Sequence, residues 1–254
     1  MATLPIRGDA VRELGLPLPP GRMRAWRRLR PLKRWRYVAV YAPELMLCVG
    51  DARIAGVARR WWAVALPDGQ LFEGARDAPI ELELDEGPGV EVVSPHGRSY
   101  IWTRKQAGIQ VAATVRVDGR ELHVEGPFGF VDESAGYHAR HTLWRWSAGI
   151  GVARDGRRLA WNLVEGVHDA PRGSERTVWV DGEPHEVDPV EFAADLSTVG
   201  GLRFTEWSAR EDHTNRVVMR SDYRQPFGSF AGELPGGLAL GSGYGVMEWH
   251  DVRW

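Results

Sequence analysis

The chain has 254 residues, 43% of them hydrophobic and 26% charged, with 32 basic side chains against 34 acidic ones. That length supports one large or two small domains, and the near-balance of charge gives no reason to expect a nucleic-acid binder. A single cysteine, Cys48, excludes an internal disulfide and a thiolate metal cluster, and its apolar neighbours Leu47 and Val49 mark it as a small core residue.

Residues 1–10 lack the apolar core of a secretory signal, and no run approaches the roughly 20 apolar residues of a membrane span, so a cytoplasmic protein is expected. Residues 1–34 read as an extended basic arm: Pro and Gly crowd positions 15–21, and Arg22, Arg24, Arg27, Arg28, Arg30, Lys33, Arg34 and Arg36 follow with Trp26 and Trp35 interleaved. Pro31 interrupts any helix there. One reading is a patch that touches a membrane surface or RNA. The preferred reading is an arm whose aromatics dock on the body while its arginines stay in water. Membrane contact is thereby the lesser alternative, and no nucleic-acid partner is expected.

From residue 35 onward short runs alternate apolar and polar residues, which predicts strands over 35–41, 56–66, 80–84, 90–93, 99–104, 109–117, 121–124, 142–147, 158–164, 177–180, 202–207, 216–221, 229–234 and 244–249. Pro67-Asp68-Gly69, Asp118-Gly119, Asp155-Gly156, Asp181-Gly182 and Pro235-Gly236-Gly237 supply the turns. A short helix is expected near 189–195. So many closely spaced strands exceed one small barrel, for which about eight suffice, and two β-domains, 35–130 and 131–254, follow. An internal echo points the same way: Pro127-Phe128-Gly129-Phe130 precedes Tyr137-His138, and Pro226-Phe227-Gly228-Ser229-Phe230 precedes Trp249-His250.

Four segments carry candidate chemistry. The run from Tyr137 to Gly149 holds His138, His141, Arg140, Arg145, Trp144 and Trp146. Alternation puts His141, Leu143, Arg145 and Ser147 on one face and Thr142, Trp144 and Trp146 on the other; His138 and His141 converge only if His138 lies in the turn before the strand. Next, Asn162, Glu165, His168 and Asp169 end a strand in a polar loop, where a carboxylate and an imidazole could form an acid–base pair. Glu175 leads into the following strand, toward Trp179, and would sit opposite Glu165 if the two strands pair as a hairpin. Finally, Gln225 and Phe227 belong with Glu248 and His250, which are two apart and share a face. The plainer alternatives are Arg–Glu pairs that stitch strand ends, histidines satisfied by hydrogen bonds and tryptophans in the core. No compact His/Glu ligand spacing is present, so no metal or cofactor is expected, and neither Ser147 nor Ser174 sits in a nucleophile elbow.

Twelve tryptophans beside polar groups suggest a ligand cavity where the two lobes meet. Tyr137, Trp144, Trp146, Trp179 and Phe227 would wall it, and Asn162, Glu165, Glu175 and Gln225 would orient a small apolar or amphipathic molecule. The alternative is an enzyme for water addition, cyclisation or isomerisation, with His138, His141, His168 or His250 shuttling a proton and Glu165, Glu175 or Glu248 tuning it. A scaffold protein without a pocket is the third reading.

The blocks Tyr137 to Gly149, Asn162-Leu163-Val164-Glu165-Gly166, Ser174-Glu175 with Val178-Trp179-Val180-Asp181-Gly182, and Ser221-Asp222 with Gln225-Pro226-Phe227-Gly228 resemble an uncharacterised bacterial family, domain of unknown function 2804. Lys33-Arg34-Trp35 to Pro43-Glu44 also fits, so the likeness runs from about Lys33 to Trp254. The sequence departs from the family pattern at His168 and Arg176, where Asn is expected, and at His250-Asp251, where His-Tyr is expected. More distantly the chain is similar to lipocalin-like two-barrel proteins, among them carotenoid hydratases and tocopherol cyclases. The resemblance implies an all-β fold of two lipocalin-like antiparallel β-barrels or sandwiches packed side by side, with the extended arm in front. It implies no reaction, because a fold does not carry one.

Overall fold

The structure, a computed structural model, describes residues 4–216 and 219–254; Val217 and Val218, at the start of the strand expected over 216–221, lie outside the described residues. It is 66% strand and 2% helix. The arm contains β1 (Ile6–Arg7), α1 (Ala10–Glu13), β2 (Trp26–Arg27) and β3 (Arg30–Pro31). There follow β4 (Lys33–Tyr41), β5 (Met46–Ile54), β6 (Val57–Ala65), β7 (Leu71–Gly74), β8 (Ile80–Leu84), β9 (Val90–His96), β10 (Ser99–Val117) and β11 (Arg120–Gly136). The second half contributes β12 (His141–Ala153), β13 (Arg158–Glu165), β14 (Thr177–Val180), β15 (Glu183–Glu186), β16 (Thr198–Val199), β17 (Leu202–Arg216), β18 (Met219–Leu234) and β19 (Leu238–Arg253). Among the described residues no helix is long and apolar enough to cross a membrane.

These strands build two antiparallel sheets of the same plan. The first runs β1-β9-β10-β11-β4-β5-β6-β7 and the second β15-β14-β13-β12-β19-β18-β17-β16. In each, the last strand returns to pair with the first, β11 with β4 and β19 with β12. β8 and β9 pair with successive halves of β10, as one interrupted strand matching β17. The two halves are thus duplicates in topology. The sequence echo is not the mark of that duplication: Pro127-Phe128-Gly129 lies on β11 and Pro226-Phe227-Gly228 on β18, which are not equivalent strands.

The explicit turns form where expected. Asp118-Gly119 and Asp181-Gly182 have positive φ at both positions (51° and 70°, 52° and 95°), the geometry that favours this dipeptide. Elsewhere the structure differs from the pattern. The runs 99–104 and 109–117 are one strand, because the irregularity near Gly108 is a bulge in β10 and not a turn. β5 was hidden because Met46, Leu47 and Cys48 are buried in succession, which erases the two-residue period. The helix expected near 189–195 does not form; the segment runs without helix to Phe192, which bridges to Val199, turns at 193–196, and lays Val187, Val190 and Leu196 against the outer core of the second sheet.

The central strands of each sheet bury both faces over much of their length. Alternate residues of β4, β5 and β6 (Tyr37, Ala39, Tyr41, Met46, Cys48, Ala63) meet Trp146, Ala148, Ile150, Ala160, Phe227 and Val246 in a shared layer between the sheets. The opposite parity fills separate cores behind each sheet, around Val64, Val111 and Val115 in one and Trp161, Phe230 and Met247 in the other. The arm packs Val11, Leu18 and Met23 against Val93, Tyr100, Trp102 and Tyr137. The shared layer does not close at its ends, and one end holds the site.

Candidate functional site

Because strand side chains alternate, each strand end contributes a pair of residues two apart to the space between the sheets: Trp35 and Tyr37 from β4, Arg59 and Trp61 from β6, Thr103 and Lys105 from β10, Asp132 and Ser134 from β11. The second sheet answers with Trp144 and Trp146 from β12, Arg210 and Asp212 from β17, Ser221 and Tyr223 from β18, and Glu248 and His250 from β19. Together with His138, His168, Glu175 and Trp254 they enclose a cavity of about 220 Å³. At its rim Arg59 of the first sheet is ion-paired with Asp212 of the second.

Two carboxyl clusters stand inside. Lys105 Nζ lies 2.5 Å from Asp132 Oδ2 and 3.4 Å from Glu175 Oε1, joining the two sheets. Burial opposes the ammonium charge, but the two carboxylates outweigh it and raise the Lys105 pKa. Glu175 itself is pushed up to about 7 by burial, against the pull of Lys105. Asp132 Oδ1 and Glu175 Oε2 are buried with no hydrogen-bond partner in the protein. In the second cluster Trp144 Nε1–H donates to Glu248 Oε1 at 2.7 Å, and Gln225 Nε2–H donates to Glu248 Oε2 at 3.0 Å. Burial raises the Glu248 carboxyl to about 7, and burial beside Glu248 raises the Tyr223 phenol well above its ordinary range.

The imidazoles of the cavity are held neutral. His168, at φ 50°, shares a 2.9 Å hydrogen bond between Nδ1 and Ser94 Oγ, and its Nε2 has no partner. His138 sits edge-on to Trp35 with ring centroids 4.8 Å apart, and its Nδ1 is unpartnered. Burial lowers both far below the usual histidine range. His250 is lowered to about 4 by burial, hydrogen-bonds Ser221 Oγ through Nε2 at 2.8 Å, and packs 4.4 Å from the Trp144 ring.

The loop between β13 and β14 presents His168 and Glu175 because Arg176 pins it from behind, donating to the carbonyls of Asp169 and Ala170 at 2.7 Å and of Val187 at 3.2 Å. Arg7 of the arm reinforces it, donating to the Ser174 carbonyl at 2.6 Å and to Thr177 Oγ1 at 2.9 Å. Asn162 works from beneath: its Oδ1 accepts from Trp146 Nε1 at 2.7 Å and its Nδ2 donates to the Glu175 carbonyl at 2.9 Å.

Of the residues singled out in the sequence, the cavity gathers His138, Trp144, Trp146, His168, Glu175, Glu248 and His250, with Asn162 and Gln225 holding them in place. His141 lies outside, half exposed and 2.7 Å from Asp251. Glu165 is also outside, 3.2 Å from Arg145, and does not face Glu175, because a long loop separates them. His168 consequently pairs with a serine, while Asp169 accepts from the Gly166 N–H. Tyr137 points into the arm, donating to the Arg24 carbonyl at 2.7 Å. Phe227 is solid core, and Trp179 lines a separate cavity of about 260 Å³ at the other end of the shared layer. Sequence reasoning missed Lys105, Asp132, Arg210, Tyr223, Trp61 and Trp254. Among the described residues no cluster of three or more His, Cys, Asp or Glu side chains is arranged for a metal ion.

A nearly all-β chain of two duplicated antiparallel sheets around an aromatic and carboxyl-lined cavity is the class that fold and site define. The sequence matches the family described as Domain of unknown function (DUF2804) over residues 69–254, and the chain belongs to that family. A search of the curated proteins returned no significant match. Among solved structures the chain is similar to an AttH-type protein from Nitrosomonas europaea (13% identity, 91% of this chain and 97% of that one, TM-score 0.48). It is similar also to kievitone hydratase from Nectria haematococca (8% identity, 85% and 88%, TM-score 0.47) and to CghA (12% identity, 87% and 88%, TM-score 0.41). Likeness at this level assigns no activity.

Proposed function

We propose that the cavity between the sheets binds a small amphipathic organic molecule. One observation carries this reading: a space walled by Trp35, Trp61, Trp144, Trp146 and Trp254 contains buried carboxylate oxygens, Asp132 Oδ1 and Glu175 Oε2, that no protein group satisfies. Buried acceptors of that kind are costly when left bare. A ligand with a hydroxyl or amine donor at one end and an apolar or aromatic body meets both needs. The volume, below the roughly 300–1,000 Å³ of drug-sized sites, favours a compact molecule. The test is tryptophan emission during titration with terpenoids, polyenes, fatty acids and phenols, each with and without a donor head group. Saturable quenching by donor-bearing compounds, weakened by Asp132→Asn, is expected. Unchanged emission across the whole panel would refute the reading.

Glu248 favours a second reading, in which the bound molecule also exchanges a proton. A buried carboxyl near 7 can act as acid or base at neutral pH, an effect typically worth about 10²–10⁴-fold in rate. With the imidazoles held neutral by burial, Glu248 and Glu175 are the proton carriers in this scheme. Deuterium uptake from D₂O into a bound ligand, lost in Glu248→Gln, is the expected signature; equal uptake in the variant would remove Glu248 from that role.

A further inference from the structure

The hairpin β2–β3 pairs Trp26 with Pro31 and Arg27 with Arg30, which leaves Arg28 and Leu29 as a two-residue loop. Both have positive φ, 48° and 62°, a geometry that favours Asn-Gly or Asp-Gly and penalises larger side chains. The same chain uses Asp-Gly for this purpose at 118–119 and 181–182. At this apex it places a leucine that is 96% exposed. Folding gains nothing from that choice, and a local conflict without structural benefit points to function. Trp26 beside it is 58% exposed, and Val57, just past the β5–β6 turn, is 72% exposed. That turn joins the arm through the Ala55 N–H, which donates to the Leu32 carbonyl. Three large apolar side chains therefore stand in water at one end of the molecule.

Charge surrounds them. No acidic residue occurs between Glu13 and Glu44, although the chain as a whole carries −2. Of the basic residues from Arg22 to Arg36, only Arg36 belongs to an ion pair among the described residues. Arg28 and Arg30 donate to the carbonyls of Arg98 and His96, so their charge stays uncompensated. The same end carries the cavity: Lys33 Nζ lies 4.2 Å from the ring of Trp254, a wall residue, and Ile54 at the β5–β6 turn is another.

We propose that this hairpin docks the protein on an anionic membrane surface. Leu29 and Trp26 enter the interface, and the arginines meet lipid phosphates. The cavity then draws its ligand from the bilayer, a consequence that rests on the amphiphile reading above. Lipid is favoured over nucleic acid because the most exposed apolar side chain, Leu29 at the apex, is aliphatic: it cannot stack on bases, whereas it can enter the acyl boundary of a bilayer.

The experiment is co-sedimentation of the full chain with vesicles of equimolar phosphatidylglycerol and phosphatidylcholine, against vesicles of phosphatidylcholine alone. Binding to the anionic vesicles only is expected. Leu29→Glu should weaken it about tenfold or more, as should Arg22→Glu with Arg24→Glu. Because these side chains are exposed, thermal midpoint and emission quenching by cavity ligands in vesicle-free solution should not change, so docking and cavity binding fail separately. The proposal is overturned if anionic vesicles do not sediment the protein, if Leu29→Glu sediments like the wild type, or if single-stranded RNA binds more tightly than vesicles and is indifferent to Leu29→Glu.

Discussion

Replacing Glu248 by Gln should stabilise the protein at alkaline pH and leave it nearly unchanged in mild acid. In the fold, burial raises this carboxyl from its ordinary 4.5 to about 7. A raised carboxyl binds its proton more tightly folded than unfolded, so its favourable contribution is complete below about 4.5 and is lost as pH climbs through about 7. The distance from 4.5 to about 7, at about 1.4 kcal/mol per unit, amounts to roughly 3 kcal/mol. Glu248 should cost the wild type that amount between about pH 4.5 and 8, and Glu248→Gln removes this share, while the parallel loss from Glu175 is common to both proteins. The amide keeps the shape and still accepts from Trp144. Gln225, whose Oε1 is buried without a partner, can turn to accept from the new N–H. Urea unfolding at about pH 5 and about pH 8 reads the difference: near-equal stability in acid, and the variant ahead by roughly 3 kcal/mol in base. An advantage over the wild type that is no larger at pH 8 than at pH 5 would show that the Glu248 carboxylate is solvated in the fold.

Lys105→Met leaves Asp132 and Glu175 facing each other without their ammonium, and should cost about 3–5 kcal/mol in urea unfolding, much of it restored by adding Glu175→Gln; a loss below about 1 kcal/mol would mean the pair is screened. Gly245→Ala puts a methyl group 2.1 Å from the Ala148 carbonyl oxygen and 2.6 Å from Gly149 Cα, against backbone that cannot step aside, so β12 and β19 must part, at a cost of about 1–3 kcal/mol visible as a lower thermal midpoint. Arg59→Ala removes the exposed rim pair with Asp212; stability should move by less than about 1 kcal/mol, while stopped-flow emission shows faster ligand exchange, and unchanged exchange would place the entrance elsewhere.

The alternation of residues gave strand positions, the faces of β12 and the shared face of Glu248 and His250, because each follows from a two-residue period within one segment. Pairing between distant segments was not legible. Nothing local announces that β19 returns to β12, which brings Trp144 beside His250, or that the loop before β14 reaches β10 and gives Lys105 its second carboxylate. Lys105 did leave a trace: it is one of two lysines in the chain and has the same parity as the buried Thr103. Tyr137 was misplaced because residues 137–140 precede β12, where no strand period fixes direction: His138 reaches the cavity while Tyr137 turns to the Arg24 carbonyl. The echo of Pro-Phe-Gly misled for a related reason. A three-residue match does not say which strand of a duplicated sheet it occupies.

The central claim is that a compact amphiphile fills the space between the sheets with its donor end on the carboxyl cluster. A crystal structure of the protein with the compound that quenches tryptophan emission most strongly tests this directly. The account predicts density between Trp144 and Trp146 and the facing Trp61, with a ligand donor within hydrogen-bond distance of Asp132 Oδ1 or Glu175 Oε2. Density confined to the cavity beside Trp179, or to the outer surface, with Asp132 and Glu175 facing only solvent, would contradict it.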